Sequence, residues 1–396
     1  NLPIRSPRYL TVVNNVFYFS AIDYAYGQEL WKSDGTTAGT RIVKDINMTG
    51  NADPENLTNV NGTMYFTAVS SSFGRELWKS DDTTAGTVLV KDSYAGDATS
   101  NTRNLTNVNG VLYFVAADGT NGFELWKSDG TEAGTVMVKD IYAGTSNSAP
   151  GALTNKNGVL FFSATDGTNG QELWKSDGTT AGTQLVKDIY AGPNHSLLFN
   201  MVNVNDVLYF SATNAANGSE LWKSDGTAAG TVLVKDINPG SNTSALQNLT
   251  SVNAVLYFTA NDGTNGIELW KSDGTAAGTV MLKDIYAGST TSSPQLLTNV
   301  NGVLYFSATD PDNGTELWKS DGTATGTLLV KDIYATVGNA SPQALTNGNG
   351  ILYFSATDAA HGAELWKSDG SAAGTQLIKD IWGGTYYSSP RNLTDV

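Results

Sequence analysis

The stretch "ELWKSDGT" at Glu29–Thr36 decides the fold, because its first six letters recur unaltered at seven later places in the chain. The tryptophans of these copies follow one another at spacings of 47 residues once and 48 residues six times. Repetition at a fixed period is the sequence signature of a repeat architecture. The motif therefore marks eight copies of one unit, centred on Trp31, Trp78, Trp126, Trp174, Trp222, Trp270, Trp318 and Trp366.

Each copy reads as four short strands, as in "LTNKNGVLFFSATDGTNGQELWKSDGTTAGTQLVKDIY" at 153–190. Runs rich in β-branched and aromatic residues alternate there with turn residues, and none shows helical periodicity. Continuous apolar runs such as "VLYFSA" at 207–212 indicate strands that are covered on both faces. A four-stranded unit of this size, repeated in tandem, predicts an all-β, eight-bladed β-propeller with four antiparallel strands per blade.

The repeat sets the predicted domain organisation, which is a single propeller over residues 1–396. No change in composition and no linker separates the copies. The blades are predicted at about 6–52, 53–100, 101–148, 149–196, 197–244, 245–292, 293–340 and 341–388, and 389–396 repeat the first-strand segment once more.

The motif is predicted to build a β-hairpin around the loop "DGTTAG", whose residues favour tight turns. If Ser176 faces Thr183, then Trp174 lies opposite Leu185 and Glu172 lies opposite Lys187. Opposed unlike charges contribute about 0.2–1 kcal/mol per pair, beside the larger apolar contribution of the tryptophan. The recurrent tryptophans, Glu172 and Lys187 are therefore predicted to be structural.

The repeated "ELWKSDGT" followed by "AGT" resembles the bacterial ELWxxDGT repeat family over about the full length of the chain. Two copies depart from the pattern, with Asp82 in place of Gly and Ser371 in place of Thr. The turn is also loosely similar to the Asp-box hairpin of sialidase-type propellers, although the order of residues differs. Membership of the repeat family implies a secreted protein in an extracellular or cell-surface location, and it implies no reaction.

Composition excludes several classes of partner and site. The net charge of −15 opposes nucleic acid and anionic membrane surfaces, and no run is long and apolar enough for membrane insertion. The absence of cysteine excludes disulfides and thiolate chemistry. Because the chain starts with Asn1, we expect that a leader, a tag or part of a larger precursor has been removed.

Nothing in the sequence predicts a catalytic centre, and the chain is predicted not to be an enzyme. Its two histidines, His195 and His361, stand in turn-like stretches with no repeated counterpart. There is no G-x-S-x-G motif, and the serines of "KSDG" are suited to bonding turn amides. Paired carboxylates remain available for a glycosidase, although regular repetition gives each of them the same surroundings.

Calcium is the one cofactor considered, in the loops between the second and third strands. Three of these loops read "DGTNG" and offer oxygen ligands that begin at Asp118, Asp166 and Asp262. No loop has the D-x-[DN]-x-[DN]-G spacing, and the same residues are common in turns. Ordinary turn chemistry is therefore favoured over calcium.

Aromatic residues that follow "KDI" or "KDS" are the candidate ligand-binding residues, namely Tyr94, Tyr142, Tyr190, Tyr286, Tyr334 and Trp382. Such rings could stack on sugars while nearby polar side chains orient hydroxyl groups. The alternative is that each ring packs half-buried on the neighbouring blade.

The preferred functional hypothesis is an extracellular, non-enzymatic, lectin-like or adhesive module that binds glycans or cell-surface components through loops on one propeller face. The first alternative is a structural subunit of a surface layer or filament, and the second is a polysaccharide-active enzyme. Because 389–396 supply a ninth first-strand segment, self-association through these residues is also predicted.

Overall fold

The computed structural model describes residues 5–335 and 337–394, and every regular element within them is a β-strand. The strands form eight antiparallel sheets of four, in which neighbours follow chain order. The predicted class, all-β with eight blades of four antiparallel strands, is confirmed. The chain divides between Ser196 and Leu197 into two compact units of four sheets each.

The first unit holds sheets 1 to 4. Their strands are β1 Arg5–Val13, β2 Val16–Asp23, β3 Gly27–Ser33 and β4 Arg41–Lys44; β5 Glu55–Val60, β6 Thr63–Val69, β7 Arg75–Ser80 and β8 Val88–Lys91; β9 Arg103–Val108, β10 Val111–Ala116, β11 Glu124–Ser128 and β12 Val136–Lys139; and β13 Gly151–Lys156, β14 Val159–Ala164, β15 Glu172–Ser176 and β16 Gln184–Lys187.

The second unit holds sheets 5 to 8. Their strands are β17 Phe199–Val204, β18 Val207–Asn214, β19 Gly218–Ser224 and β20 Val232–Lys235; β21 Gln247–Val252, β22 Val255–Asn261, β23 Ile267–Ser272 and β24 Val280–Lys283; β25 Gln295–Val300, β26 Val303–Asp310, β27 Gly314–Ser320 and β28 Leu328–Lys331; and β29 Gln343–Gly348, β30 Ile351–Asp358, β31 Gly362–Ser368 and β32 Gln376–Lys379.

Two-residue turns join the first and second strands of several sheets. In sheet 2 the turn is Asn61–Gly62, and both residues have positive φ, 50° and 82°. A two-residue hairpin of type I′ needs positive φ at both positions, which asparagine and glycine adopt most readily. The "NG" pairs therefore set the register of the strands that follow them.

Each sheet buries two faces, which we name by chain direction. The trailing face of a sheet is the side that packs on the next sheet within a unit, and the leading face packs on the preceding one. In sheet 7 the trailing face comprises Tyr305, Leu317, Val330 and Ile333, which pack on the leading face of sheet 8, with Leu352, Phe354, Ala356 and Trp366. The same arrangement recurs at the other sheet–sheet contacts within each unit.

Hydrogen bonds between first strands also tie neighbouring sheets together. Asn253 Nδ2 donates to the Gly302 carbonyl at 3.0 Å, and Thr11 Oγ1 donates to the Leu57 carbonyl at 3.3 Å. Since the donor and the acceptor of each such bond lie about one repeat apart, the contacts depend on strict repeat length. The repetition therefore preserves polar contacts between sheets as well as their apolar packing.

In the part of the chain that the structure describes, no helix is long and apolar enough to cross a membrane.

Candidate functional site

The tryptophans of the motif are 5–7% exposed, and within each unit those of the later sheets pack on the preceding sheet. Trp174 lies opposite Leu185, as predicted. The predicted pairing of Glu172 with Lys187 is wrong: Lys187 lies opposite Leu173, because the register shifts between Leu173 and Trp174. The sequence offset ignored this bulge, which turns Glu172 toward the loop that follows β16.

Glu172 is fully buried and binds backbone N–H groups of that loop. Its Oε2 accepts a hydrogen bond from Ile189 N–H at 2.7 Å, and its Oε1 accepts one from Ser196 N–H at 3.1 Å. Equivalent contacts recur in other sheets, for example from Glu316 in sheet 7. The glutamate of the motif thus satisfies amides that burial would otherwise leave unpaired.

Burial raises the pKa of these glutamates, although the N–H donors act in the opposite direction. The pKa rises to about 7 in Glu29, Glu220 and Glu316. A carboxyl group with a raised pKa is a common feature of catalytic acids. Here, however, the side chains are 0% exposed and enclosed by their own loops, so no solute reaches them.

The loop "SDGTTAGT" is held in its turn conformation by hydrogen bonds between its own residues. Ser176 and Thr183 join their hydroxyl oxygens at 2.7 Å across the hairpin. Asp177 Oδ1 accepts hydrogen bonds from both the N–H and the hydroxyl group of Thr179 at 2.8 Å. The serine, aspartate and threonine of the motif are therefore committed to the hairpin.

Lysines of the motif bind the following sheet. In sheet 7, Lys319 Nζ donates to the Gly370 carbonyl at 2.9 Å, and Lys331 Nζ donates to the Thr375 carbonyl at 2.8 Å. The Lys331 ammonium also lies 5.7 Å from the centre of the Trp366 ring. Where Asp82 replaces glycine, its carboxylate takes part in the same contact and lies 2.5 Å from Lys32 Nζ.

The calcium candidates Asp118, Asp166 and Asp262 act as turn acceptors. Asp166 Oδ1 accepts the N–H groups of Thr168 and Asn169 at 2.9 and 2.8 Å, and its Oδ2 accepts Asn169 Nδ2 at 3.0 Å. The other two loops repeat this pattern. Calcium binding stays a prediction, and any cation would compete with these donors.

The candidate aromatic residues fall into two environments. Tyr94, Tyr142, Tyr190, Tyr286 and Tyr334 are half-buried. The Tyr94 ring lies against Gly119 of the following sheet, where a Cβ would come within 2.9 Å of it. Trp382 is 60% exposed and stacks on Tyr386 with ring centres 5.4 Å apart. Ligand binding by these rings stays a prediction.

Both histidines make local structural contacts. His195 Nδ1 accepts a hydrogen bond from Gln171 N–H at 2.8 Å. His361 Nδ1 lies 2.9 Å from Asp358 Oδ2, and this contact raises the pKa of the imidazole. Neither belongs to a group of three or more acidic residues or histidines that could hold a metal ion, among the residues that the structure describes.

Sheet 8 departs from the other sheets of its unit on the trailing face. Ile378 and Ile381 are 43% and 56% exposed, whereas Val330 and Ile333, at the same positions of sheet 7, are 5% and 8% exposed. Leu365 is also partly exposed, unlike its fully buried counterparts. The sequence analysis missed this face, although the alignment of repeats shows that its residues keep the apolar character of buried positions.

The first-strand copy at the C-terminal end continues the contacts between first strands. Thr346 Oγ1 donates to the Leu393 carbonyl at 3.3 Å, as Thr11 does to Leu57. Residues 389–394 nevertheless form no strand. The last two residues of the predicted segment 389–396 lie outside the described residues, and self-association through it stays a prediction.

Comparisons with solved structures find hydrolase and peptidase chains and the β-propeller domain of a protease. A crystal structure of puromycin hydrolase is 12% identical with a TM-score of 0.43, and the likeness covers 90% of this chain and 59% of that chain. For prolyl endopeptidase the values are 13%, 0.46, 89% and 54%. The β-propeller domain of the Trilobed protease from Pyrococcus furiosus gives 10%, 0.40, 81% and 95%. No family model and no curated protein matches the chain.

The predicted eight-bladed β-propeller class agrees with these neighbours. The predicted function, a non-enzymatic module that binds glycans or cell-surface components, is contradicted, because the neighbours are hydrolase and peptidase chains. The comparison also gives no support to a surface-layer or filament subunit, or to a polysaccharide-active enzyme. At 10–13% identity and TM-scores below 0.5, the likeness assigns no activity to this chain, which spans 59% and 54% of the first two.

Proposed function

We propose that this chain is a docking module that binds a further β-sheet of its own repeat type on the trailing face of sheet 8. One observation carries the proposal: Ile378 and Ile381 are 43% and 56% exposed at positions that are 5% and 8% exposed in sheet 7. Within each unit, what covers the trailing face of a sheet is the leading face of the next sheet of the same repeat. The matching occupant is therefore such a leading face.

Docking a sheet on this face would be stabilised by the burial of apolar side chains. Fully burying an exposed isoleucine side chain contributes about 1.5–3 kcal/mol, so covering the half-exposed Ile378 and Ile381 contributes part of that amount for each. Trp382 occupies the position of Tyr334, which packs on the equivalent cluster of sheet 7, and it is exposed, so the apolar surface is larger than two isolated side chains. Clustered apolar exposure of this kind is typical of interaction sites.

Two lysines supply the polar part of the surface. Lys367 and Lys379 are exposed in sheet 8, whereas Lys319 and Lys331 donate to carbonyl groups of the next sheet. The ammonium groups of Lys367 and Lys379 are therefore available to donate to two carbonyl groups of a docked sheet. A docked sheet of the same repeat offers these acceptors, and an unrelated apolar surface does not.

The test is to extend the chain so that it covers the face itself. Residues 389–396 already repeat the first-strand segment, and a second copy of 14–47 appended after them completes a sheet. We expect amide hydrogen exchange in Gln376–Lys379 to slow to the level of Leu328–Lys331. A control extension carries Phe17→Asp and Phe19→Asp in the appended copy and should give no protection. Equal exchange in both extended chains would refute the docking function.

We also propose that docking takes place in an extracellular setting. The resemblance of the repeated octet to the ELWxxDGT family supports this location. Secretion of the full-length protein into the medium of its native host would test it, and retention inside the cells would contradict it.

A further inference from the structure

We propose that the trailing face of sheet 8 selects a docked sheet by one residue of that sheet's hairpin, the third residue of "SDG", which we call the hairpin position. A sheet with glycine at the hairpin position docks, a sheet with aspartate docks more tightly, and a sheet with alanine docks poorly. The inference rests on the docking function above and identifies the specificity-determining residue of the partner.

Within each unit, the hairpin position of a sheet lies against a tyrosine and a lysine of the preceding sheet. In sheet 8 it is Gly370, which has φ 88° and is buried. Its carbonyl accepts a hydrogen bond from Lys319 Nζ at 2.9 Å, and a Cβ placed on it would lie 2.2 Å from the Tyr305 hydroxyl oxygen. The same contacts recur for Gly130 with Tyr65 and Lys79, Gly178 with Tyr113 and Lys127, Gly274 with Tyr209 and Lys223, and Gly322 with Tyr257 and Lys271.

Two features of this contact disfavour alanine. The φ of Gly370 lies in the left-handed region, which glycine adopts freely and which asparagine and aspartate adopt far more readily than alanine. An alanine methyl group at this position would also overlap the tyrosine hydroxyl oxygen and would offer it no hydrogen bond. We therefore expect alanine to push the hairpin away from the preceding sheet and to weaken the lysine bond.

Aspartate adds a charged hydrogen bond to the same contact. Sheet 2 carries Asp82 at the hairpin position, with φ 83°. Asp82 Oδ1 accepts the Tyr18 hydroxyl at 3.0 Å and lies 2.5 Å from Lys32 Nζ, which also donates to the Asp82 carbonyl oxygen at 3.1 Å. Hydrogen bonds to ionised groups are roughly twice as strong as neutral ones. The tyrosine and the lysine of a trailing face thus bind a carboxylate and keep the bond to the backbone.

Sheet 8 carries the same tyrosine and lysine on its trailing face. Tyr353 and Lys367 lie opposite each other on the second and third strands, as Tyr305 and Lys319 do in sheet 7. Tyr305 is 5% exposed, whereas Tyr353 is partly exposed and Lys367 is exposed. A docked sheet of this repeat would place its hairpin position against this pair.

The order of preference is tested first at the contact between sheets 7 and 8, which does not depend on docking. The variants Gly370→Asp and Gly370→Ala change the hairpin position of sheet 8. Amide hydrogen exchange in Leu328–Lys331 should slow about threefold to tenfold with aspartate, because the carboxylate binds Lys319 and Tyr305. It should become at least about tenfold faster with alanine, because of the strained φ and the overlap.

Two further variants isolate the charge of the aspartate. Gly370→Asn is the matched control, since asparagine tolerates positive φ and has the shape of aspartate without its charge, and it should change the exchange little. Lys319→Met should abolish the gain from aspartate. Asp369 precedes Gly370 as Asp81 precedes Asp82, so the added carboxylate has the same neighbour as the natural one.

The extended chain then tests the trailing face of sheet 8 itself. Its appended copy of 14–47 carries the hairpin position as Gly35, and we compare Gly35→Asp, Gly35→Asn and Gly35→Ala in that copy. Relative to glycine, exchange in Gln376–Lys379 should be about threefold to tenfold slower with aspartate, similar with asparagine and at least about tenfold faster with alanine. Lys367→Met should abolish the gain from aspartate. Because aspartate and asparagine suit the same turn, their difference reports the contact with sheet 8 and not the folding of the appended hairpin.

The docking function and the specificity can fail separately. If no version of the extension protects Gln376–Lys379, the docking function is wrong and the specificity falls with it. If the glycine version protects these amides but aspartate and asparagine give equal exchange, the docking function stands and the specificity is overturned. A gain from Gly35→Asp that persists in Lys367→Met would also overturn it, because the lysine of sheet 8 would then not read the hairpin position.

Discussion

Sheets 7 and 8 have almost the same sequence in their motif strands, yet their trailing faces have opposite environments. Leu317 is fully buried in sheet 7, whereas Leu365 is partly exposed in sheet 8. Val330 is 5% exposed, whereas Ile378 is 43% exposed. The comparison shows that the burial of a trailing face is supplied by the next sheet. A single repeat is therefore only half of a folding unit.

Glu316 and Glu364 occupy the same position in sheets 7 and 8, and their pKa values shift in opposite directions. Burial raises the pKa of Glu316 to about 7. Burial also acts to raise the pKa of Glu364, but hydrogen bonds from Ser388 and from the Ile381 N–H outweigh it and lower the pKa. The two carboxylates accept similar donors and differ in the cover around their loops. Neighbouring sheets thus set the ionisation of these groups as well as their packing.

The largest expected contrast comes from truncating the leucine of the motif. Leu317→Ala should lower the free energy of unfolding by about 2–5 kcal/mol, because it opens a cavity between two sheets. Leu365→Ala should cost less than about half of that, because part of its side chain is already hydrated. Hydrogen exchange of the flanking strands measures each loss locally, which matters in a repeat protein that can unfold in parts. Equal losses would show that sheet 8 is covered in solution.

The next contrast comes from the buried carboxylate. Glu316→Gln replaces one acceptor oxygen by an NH₂ group that faces a backbone N–H, and it should cost about 1–3 kcal/mol. Glu364→Gln should cost less, since water can reach the loop of sheet 8 more easily. Urea unfolding followed by exchange in the loops after β28 and β32 gives both values. A greater loss of stability in Glu364→Gln than in Glu316→Gln would contradict this expectation.

Much of this architecture follows from the sequence, because the repeat fixes it many times over. The spacing of the tryptophans and the "NG" turns identifies the number of sheets and their strands. Trp174 was also placed correctly opposite Leu185. The strands follow from local periodicity and turn chemistry, which are visible in one copy, and the number of sheets follows from the spacing between copies.

The partner of Glu172 could not be predicted in the same way. A bulge adds one residue to one strand, and it moved Lys187 opposite Leu173. The docking face was missed for a different reason, since Ile378 looks like any other core residue of the repeat. Its exposure depends on whether another sheet packs on that face, and hydrophobic periodicity within one repeat does not indicate this.

The opposite pKa shifts predict opposite pH dependences of stability. Because the pKa of Glu316 is raised from 4.5 to about 7, its stabilising contribution is present below pH 4.5 and is lost as the pH rises to 7. The contribution of Glu364 is present above pH 4.5 and is lost as the pH falls through its lowered pKa. Carboxyl ¹³C chemical shifts, assigned with the two glutamine variants, measure both titrations.

Docking of a further sheet would make the pKa of Glu364 similar to that of Glu316. A covered Glu364 should acquire a raised pKa like that of Glu316, so the association should take up a proton and strengthen as the pH falls from 8 to 6. His361, beside Asp358 and influenced by Asp380 and Glu364, titrates nearby. His361→Asn, which restores the residue of sheet 7, separates the two contributions. An association that is independent of pH in this variant would contradict the coupling.

The smallest contrast concerns the lysine of the fourth strand. Lys331→Met removes the bond to the Thr375 carbonyl and the contact with the Trp366 ring, and it should cost about 0.5–1.5 kcal/mol. Lys379→Met should leave the stability of the unextended chain unchanged, because its ammonium is exposed, yet it should weaken docking of a further sheet about threefold to tenfold. Thermal unfolding of the unextended chain and hydrogen exchange of the extended chain separate these effects. A loss of monomer stability in Lys379→Met would mean that its ammonium already has a partner within the chain.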